Sequence, residues 1–404
     1  ASYMDSLITA KRLKTAVDTF VAAPTADNMM AAKQAWLTSR EPYGQTEVYR
    51  FRVGPIDALK ADGTIGEEGD GPEGAINAWP LAEGLIDYVA NSVDGSAAPS
   101  DAASVATING SIIEDTTGIT EITKAVIQAN FELGGDESNV SSGYHAVEFL
   151  LWGQDLNADG SGSGTRDATP GSRPVTDYSN TAGACTSGSN AAVDDICVRR
   201  GAYLKAAADL LVDDLQTIVD AWDPNAATTN HYDNFVAGGD TSLAVILEAM
   251  GRLGFGELAG ERMNIALLTN SQEDEHSCFS DNTHRDIFLN AKGIQNAFRG
   301  EYTRIDGEVI SGAGIDDLLV TEGQTEAGNG YRAALEDTML KVGVIDSKAQ
   351  TGVPFDNLIQ VGITEPNVTA AINALSAQTT SLEAVITALN LTTGDLRQDT
   401  EEDI

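Results

Sequence analysis

With 24 Lys and Arg set against 61 Asp and Glu, this 404-residue chain carries a formal net charge of −37. Acidity spread so widely excludes nucleic acid as a partner, because phosphate binding needs clustered cations, and it disfavours anionic membrane surfaces. A hydrophobic content of 42% still provides a folded core, and no apolar run reaches the roughly 18–20 residues of a transmembrane helix.

Taken in order, the N-terminal half reads as amphipathic helices at 4–22, 26–40, 81–91, 119–133 and 142–152. Thr25 caps the second of these, and Ser141-Ser142-Gly143 opens the last. Residues 47–74 are glycine-rich and without helical period, which predicts an irregular excursion. The C-terminal half repeats the helical pattern at 200–222, 241–270, 283–299, 325–342 and 365–389. Ser280-Asp281-Asn282-Thr283 reads as a cap for the third, and Thr364-Glu365-Pro366 as the start of the last. Strand-like alternation is scarce. Between the halves, residues 157–195 are rich in Gly, Ser, Thr, Asp and Pro, too long for an ordinary loop. The expected fold is all-α, two helical-bundle domains of the duplicated four-helix-bundle type with a functional cleft between them. Their bounds are 1–155 and 199–404, joined by a connector over 156–198.

Gly143-Tyr144-His145-Ala146-Val147-Glu148 is the chemically densest motif. An imidazole and a carboxylate at i and i+3 share a helix face, with Cβ atoms about 5–6 Å apart. Both can face one metal ion, or act as a base and its orienting partner; a buried histidine bonded to a carboxylate is the structural alternative. A second group, from Ser271 to Asp286, holds His276, His284 and five acids. Glu273 and His276 have the Glu-x-x-His spacing of carboxylate-bridged metal bundles, and capping is the competing role for Asp281. A third gathers Arg40, Tyr43, Glu47 and Asp57 where a helix gives way to irregular chain, and Glu83 and Asp87 stand one turn apart on an expected helix. Such groups are more often a solvated face or an ion pair than a site.

Asp155-Leu156-Asn157-Ala158-Asp159-Gly160 opens like a calcium loop, but Arg166 stands at the twelfth position where an EF-hand places Glu. Calcium is therefore not expected there. Zincin, phosphate-loop and nucleophile-elbow motifs are absent, and nothing marks Cys278 as an activated nucleophile. Cys185 and Cys197 flank a small polar loop and are expected to form a disulfide, which favours an oxidising compartment. Ala1-Ser2-Tyr3-Met4 reads as the remainder of a trimmed export sequence.

Taken together, Trp36…Arg40-Glu41-Pro42-Tyr43…Glu47…Arg50-Phe51…Gly54-Pro55-Ile56-Asp57, Asn77-Ala78-Trp79-Pro80, the Gly-x-His-x-x-Glu motif, Gly153-Gln154-Asp155-Leu156-Asn157-Ala158-Asp159-Gly160 and Ser277-Cys278-Phe279-Ser280-Asp281-Asn282-Thr283 resemble the imelysin family, the M75-type peptidases and iron-regulated protein A-like proteins. The resemblance covers most of the first 300 residues. It implies two helical bundles with a shared cleft, export to the periplasm or outer membrane, and a link to iron acquisition. It places His145 and Glu148 in the cleft as metal ligands, with Arg40 and the 277–281 segment beside them. Tyr43, Glu83, Ser277 and Asp281 are the further ligand-binding candidates. The implied cargo is iron or an iron-bearing ligand, with a cell-envelope protein as a further partner. The alternatives are an M75-type metallopeptidase with His145 and Glu148 as its catalytic pair, and a non-catalytic partner-binding or structural protein.

Overall fold

The computed structural model describes every residue except 52–53, 61–62, 68, 90–107, 109, 159–164, 182–183, 186–195, 273 and 398–404. Eight longer helices carry the fold among the described residues: α1 (Ser2–Ala22), α2 (Ala26–Tyr43), α3 (Gly143–Trp152), α4 (Ile196–Ala221), α5 (Asp240–Arg252), α6 (Thr283–Arg299), α7 (Thr325–Gln350) and α8 (Pro366–Ala388). Among the described residues the fold is all-α apart from one hairpin, β1 (Glu301–Thr303) against β2 (Val309–Ser311), antiparallel with Tyr302 opposite Ile310, and an isolated bridge between Leu59 and Ile65.

Helical spacing explains the packing. On α1, Tyr3, Leu7, Ala10, Leu13, Val17 and Phe20 recur every three or four residues and are all buried. They join Trp36 and Tyr43 of α2, Val147 and Leu151 of α3, and Leu204 and Leu211 of α4 in a first core. The helices α5 to α8 pack around a second set of buried residues, including Leu253, Phe298, Tyr331 and Leu382, and a third, including Met263, Ile287, Val342 and Leu375. Two segments cross between these cores. Val48 and Phe51, just beyond α2, pack into the second core, whereas Cys278 and Phe279 pack into the first.

Helix starts follow the sequence at Thr25, whose Oγ1 accepts from Asn28 N at 3.2 Å, and at Glu365-Pro366, with proline in the first turn. The cap expected from Ser280-Asp281-Asn282-Thr283 does not form by side chain: α6 begins at Thr283 with no capping hydrogen bond from Asn282. Thr283 Oγ1 instead accepts from Ser277 N at 3.2 Å, and Ser280 turns toward Glu148.

Two expected helices shrink. Among its described residues the 81–91 stretch yields only Glu83–Ile86, because the carbonyls of Leu85 and Ile86 accept from Ile112 N and Ile113 N at 2.8 and 3.2 Å. The 119–133 stretch yields only Lys124–Ala129. Asp115 holds a turn before it by accepting from Thr117 N and Gly118 N, and Thr123 caps the helix late.

The 241–270 run changes winding. After α5 the chain coils as a π-helix over Leu253–Ile265. In an α-helix, residues five apart stand about 140° apart around the axis. The wider coil brings Glu257 and Arg262 onto one face, where Arg262 Nε donates to Glu257 Oε1 at 3.0 Å. Cys185 and Cys197 are joined by a disulfide, with Cα atoms 5.7 Å apart.

Candidate functional site

Helix α3 delivers the central pair. Gly143, at its first position, has φ +84°, and a Cβ there would lie 2.4 Å from the carbonyl oxygen of Ile76. Only glycine allows both the left-handed backbone and that approach. The motif's glycine therefore seats α3 against the 75–79 segment and fixes where His145 points. His145 and Glu148 are fully buried, and His145 Nδ1 lies 3.0 Å from Glu148 Oε2. The other carboxylate oxygen, Oε1, accepts from Ser280 N at 3.0 Å and from Ser280 Oγ at 2.6 Å. Both oxygens of Glu148 are thus engaged. His145 Nε2 is buried and has no hydrogen-bond partner.

Around this nitrogen the wall is aromatic. The His276 ring stands edge-to-face to His145 at 4.5 Å between centroids, and Trp79 lies 5.1 Å away on another side. Asn77 Nδ2 donates to His276 Nε2 at 3.3 Å, which leaves His276 Nδ1–H to donate to Asp286 Oδ2 at 3.0 Å. Asp286 also accepts from Ser277 Oγ at 2.5 Å and from Arg40 Nη2 at 2.9 Å. Arg40 is buried against Tyr144, its guanidinium carbon 4.8 Å from that ring centre.

Burial governs the protonation states. It pushes His145 well below the ordinary imidazole value, helped by His276 and Arg40, and raises Glu148 to about 8. The pair is therefore a hydrogen bond between neutral partners near pH 7, not an ion pair. Burial alone would raise Asp286, but Arg40 and His276 outweigh it and hold the acid well below its usual range. Burial and then Arg262 bring His276 down to about 4.

A second polar layer adjoins the first. Glu47 accepts from Arg262 Nη2 at 2.9 Å and from Arg50 Nη1 at 3.1 Å. These guanidinium groups overcome burial and lower its acid to about 2. Glu73, beside the same Arg50, is driven the other way by burial, up to about 7.

The structure brings Arg40, Ser277, His145 and Glu148 into one neighbourhood. Tyr43 packs on Tyr144 at 4.9 Å with its hydroxyl buried and unpartnered. Glu83 accepts from Gln154 at 3.1 Å. Asp87 lies beyond that short helix, clasped by Arg173 and Arg200 at 2.6 Å each. Asp281 groups with Asp155 and Asp356, its ligand oxygen within 4.8 Å of theirs. Glu273 lies outside the described residues, and Cys278 is a buried thiol in the first core, outside the disulfide.

Sequence reading missed Asn77, Trp79 and Asp286 as site residues, and missed that His276 meets His145. The available signal was Asp286 standing one turn into α6, after a segment already rich in hydroxyls and histidines.

Among solved structures, the chain resembles a protein assigned as an iron-regulated protein A precursor from Parabacteroides distasonis ATCC 8503, with TM-score 0.63 and 16% identity over 96% of this chain and 90% of that one. It also resembles an imelysin-like protein from Psychrobacter arcticum 273-4, with TM-score 0.56 and 15% identity over 98% and 92%. At such identities the likeness is one of fold. Iron-regulated protein A of Synechococcus elongatus is 35% identical over 94 residues, a stretch spanning 23% of each chain. The family model described as Imelysin matches residues 1–382, and the chain belongs to the imelysin family.

Proposed function

We propose that this is an exported, iron-associated protein that holds iron, or an iron-bearing ligand, at His145 where two helical bundles meet. In this reading the bundles are residues 1–155 and 199–404, with 156–198 connecting them. The observation that carries it is the buried, unpartnered His145 Nε2, whose ring is oriented through Nδ1 by a carboxylate that is itself held by Ser280. When a metal takes Nε2, the ring's Nε2 proton is released and the Glu148 proton passes to Nδ1, giving the carboxylate–histidine arrangement by which proteins aim a ligating nitrogen. An imidazole nitrogen left bare in the interior has lost its solvent without compensation, and a metal supplies it.

Asn77 and Asp286 already engage both nitrogens of His276, so the open donor is His145 Nε2, and imidazole is a ligand that suits iron. His145 supplies the ligating nitrogen and Glu148 orients it. His276, Asp286 and Arg40 set the polarity of the opposite wall, and Arg40 suits an anionic group on an iron-bearing ligand. Because His145 is fully buried, Trp79 or the facing turn moves when cargo enters.

Export is consistent with the precursor assigned in Parabacteroides distasonis and with the disulfide, since such bonds persist in oxidising compartments. A periplasmic or outer-membrane setting, with a cell-envelope partner receiving the cargo, completes the proposal.

Metal-stripped protein titrated with ferric, ferrous and zinc ions tests it. The parent should bind one equivalent at this centre, His145→Ala should abolish that equivalent, and Glu148→Ala should weaken it by about 10–100-fold, the usual effect of removing an orienting partner. Binding unchanged in both variants would refute the assignment.

A further inference from the structure

We propose that Asp155, Asp281 and Asp356, backed by Glu275, form a second cation site that takes one divalent ion of the calcium class through oxygen ligands alone. The three aspartates come from separate parts of the chain: the turn after α3, the loop before α6 and the short helix Phe355–Ile359. Each offers one carboxylate oxygen, and these oxygens lie within 4.8 Å of one another. An ion at calcium's usual 2.3–2.6 Å from each ligand spans oxygens up to roughly 4.6–5.2 Å apart. Asp155 and Asp356 are buried and Asp281 partly so.

An acidic cluster alone would not make a site, but Glu275 adds an independent feature. It is 1% exposed, and its Oε1 has no hydrogen-bond partner. Its N–H donates to the carbonyl of Gln272 at 3.0 Å, and the Gln272 side chain bonds Asp155, which sets Glu275 next to the cluster; burial first, and then the charges of Asp356, Asp281 and Asp155, raise its carboxyl. A buried carboxylate oxygen without a donor needs an explanation, and a missing cation is a direct one.

Asp155 receives a neutral donor from Gln272, and Asp356 receives Asn357 Nδ2 at 3.2 Å. Arg166 is the cation facing the group, and its guanidinium donates to Asn270. Asp167 adds another negative charge near Asp281 and Asp356. With no imidazole or thiolate among the donors, the site selects a hard ion. The EF-hand pattern failed at Arg166, but its first residue, Asp155, serves a site assembled across the fold rather than along one loop.

Full-length, metal-stripped protein titrated with calcium, followed by calorimetry and thermal unfolding, tests this. One equivalent should bind and raise the melting temperature, with magnesium giving the smaller response. Asp356→Asn, Asp155→Asn and Glu275→Gln should each weaken calcium binding at least about tenfold, whereas His145→Ala should retain it. In chelator the Asp→Asn variants should melt at or above the parent, because a repelling charge is gone, which shows that they are folded. No calcium response up to about 1 mM, the weak end for extracellular calcium modules, would overturn the proposal. So would a stronger response to magnesium, or calcium binding unchanged in the aspartate variants.

Discussion

Glu148→Gln separates the charge of the motif's carboxylate from its shape. Glutamine keeps a carbonyl for Ser280 to donate to and an N–H to donate to His145 Nδ1, as the protonated acid does. What it cannot do is ionise. Burial first, and then Asp286, raise Glu148 from 4.5 to about 8. A raised carboxyl means that the folded state holds a proton that the unfolded chain releases. Stability is therefore whole below about pH 4.5, falls as pH rises through the interval, and levels off above about pH 8. Each pH unit of that interval costs about 1.4 kcal/mol, so the full effect approaches about 5 kcal/mol. Solvent screening does not reduce it, since Glu148 is fully buried. Urea unfolding in chelator at about pH 5, 7 and 9 reads it out. Parent and variant should agree to within about 1 kcal/mol near pH 5, and the variant should be the more stable by several kcal/mol near pH 9. Glu73 and Asp281, also raised by burial, steepen the pH dependence of both proteins equally and cancel in the difference. A stability gap that does not change with pH would refute the argument.

Arg40→Met should destabilise the fold by about 3–5 kcal/mol by leaving Asp286 charged and unpaired in the interior, and adding Asp286→Asn should recover part of that; equilibrium denaturation of the single and double variants decides. Gly143→Ala should cost about 1–3 kcal/mol from its backbone angle alone, and more from the contact with Ile76, with the loss visible as a lower melting temperature and weakened metal binding. Replacing Cys185 and Cys197 by Ala should cost about 3 kcal/mol through loop entropy, and thiol counting on denatured, unreduced parent should find one reactive thiol.

The helical period of the chain made most of the bundle readable, because α1, α6 and α8 each bury one face of a long amphipathic run. The 81–91 run failed for a reason that no local pattern contains. Its carbonyls are taken by residues 112 and 113, a pairing set by tertiary contact. The π-helical stretch was hidden in a similar way: Leu253-Gly254-Phe255-Gly256 is compatible with either winding, and the Glu257–Arg262 alignment becomes apparent only in three dimensions. For the site, the Gly-x-His-x-x-Glu spacing located the pair and implied that both residues face one target. It could not reveal that Ser280 occupies one oxygen of Glu148, or that His276 approaches the imidazole from the other core.

The distribution of these contacts argues that the buried polar layer is there for more than stability. Arg40 on α2 meets Asp286 on α6, Asn290 Nδ2 donates to the carbonyl of Gly44 at 2.9 Å, and nearer the surface Glu41 meets Arg285. These ties hold α2 along α6, so the first core is fixed to the second next to His145. A buried ion pair generally gives no more stability than well-packed apolar residues of the same volume, yet breaking one is costly. Apolar residues at these positions would hold the two cores together equally well while leaving His145 without polar neighbours. Against that rigid background, Trp79 is the partly exposed member of the wall around His145. Moving it gives up ring contacts with His145 and Phe279, among other contacts, whereas separating the two cores would strand the buried Arg40–Asp286 and Arg262–Glu47 pairs. The less costly route to the bare nitrogen therefore runs past Trp79, and a Trp79→Ala variant should speed metal association at His145 while leaving the Arg40–Asp286 tie intact.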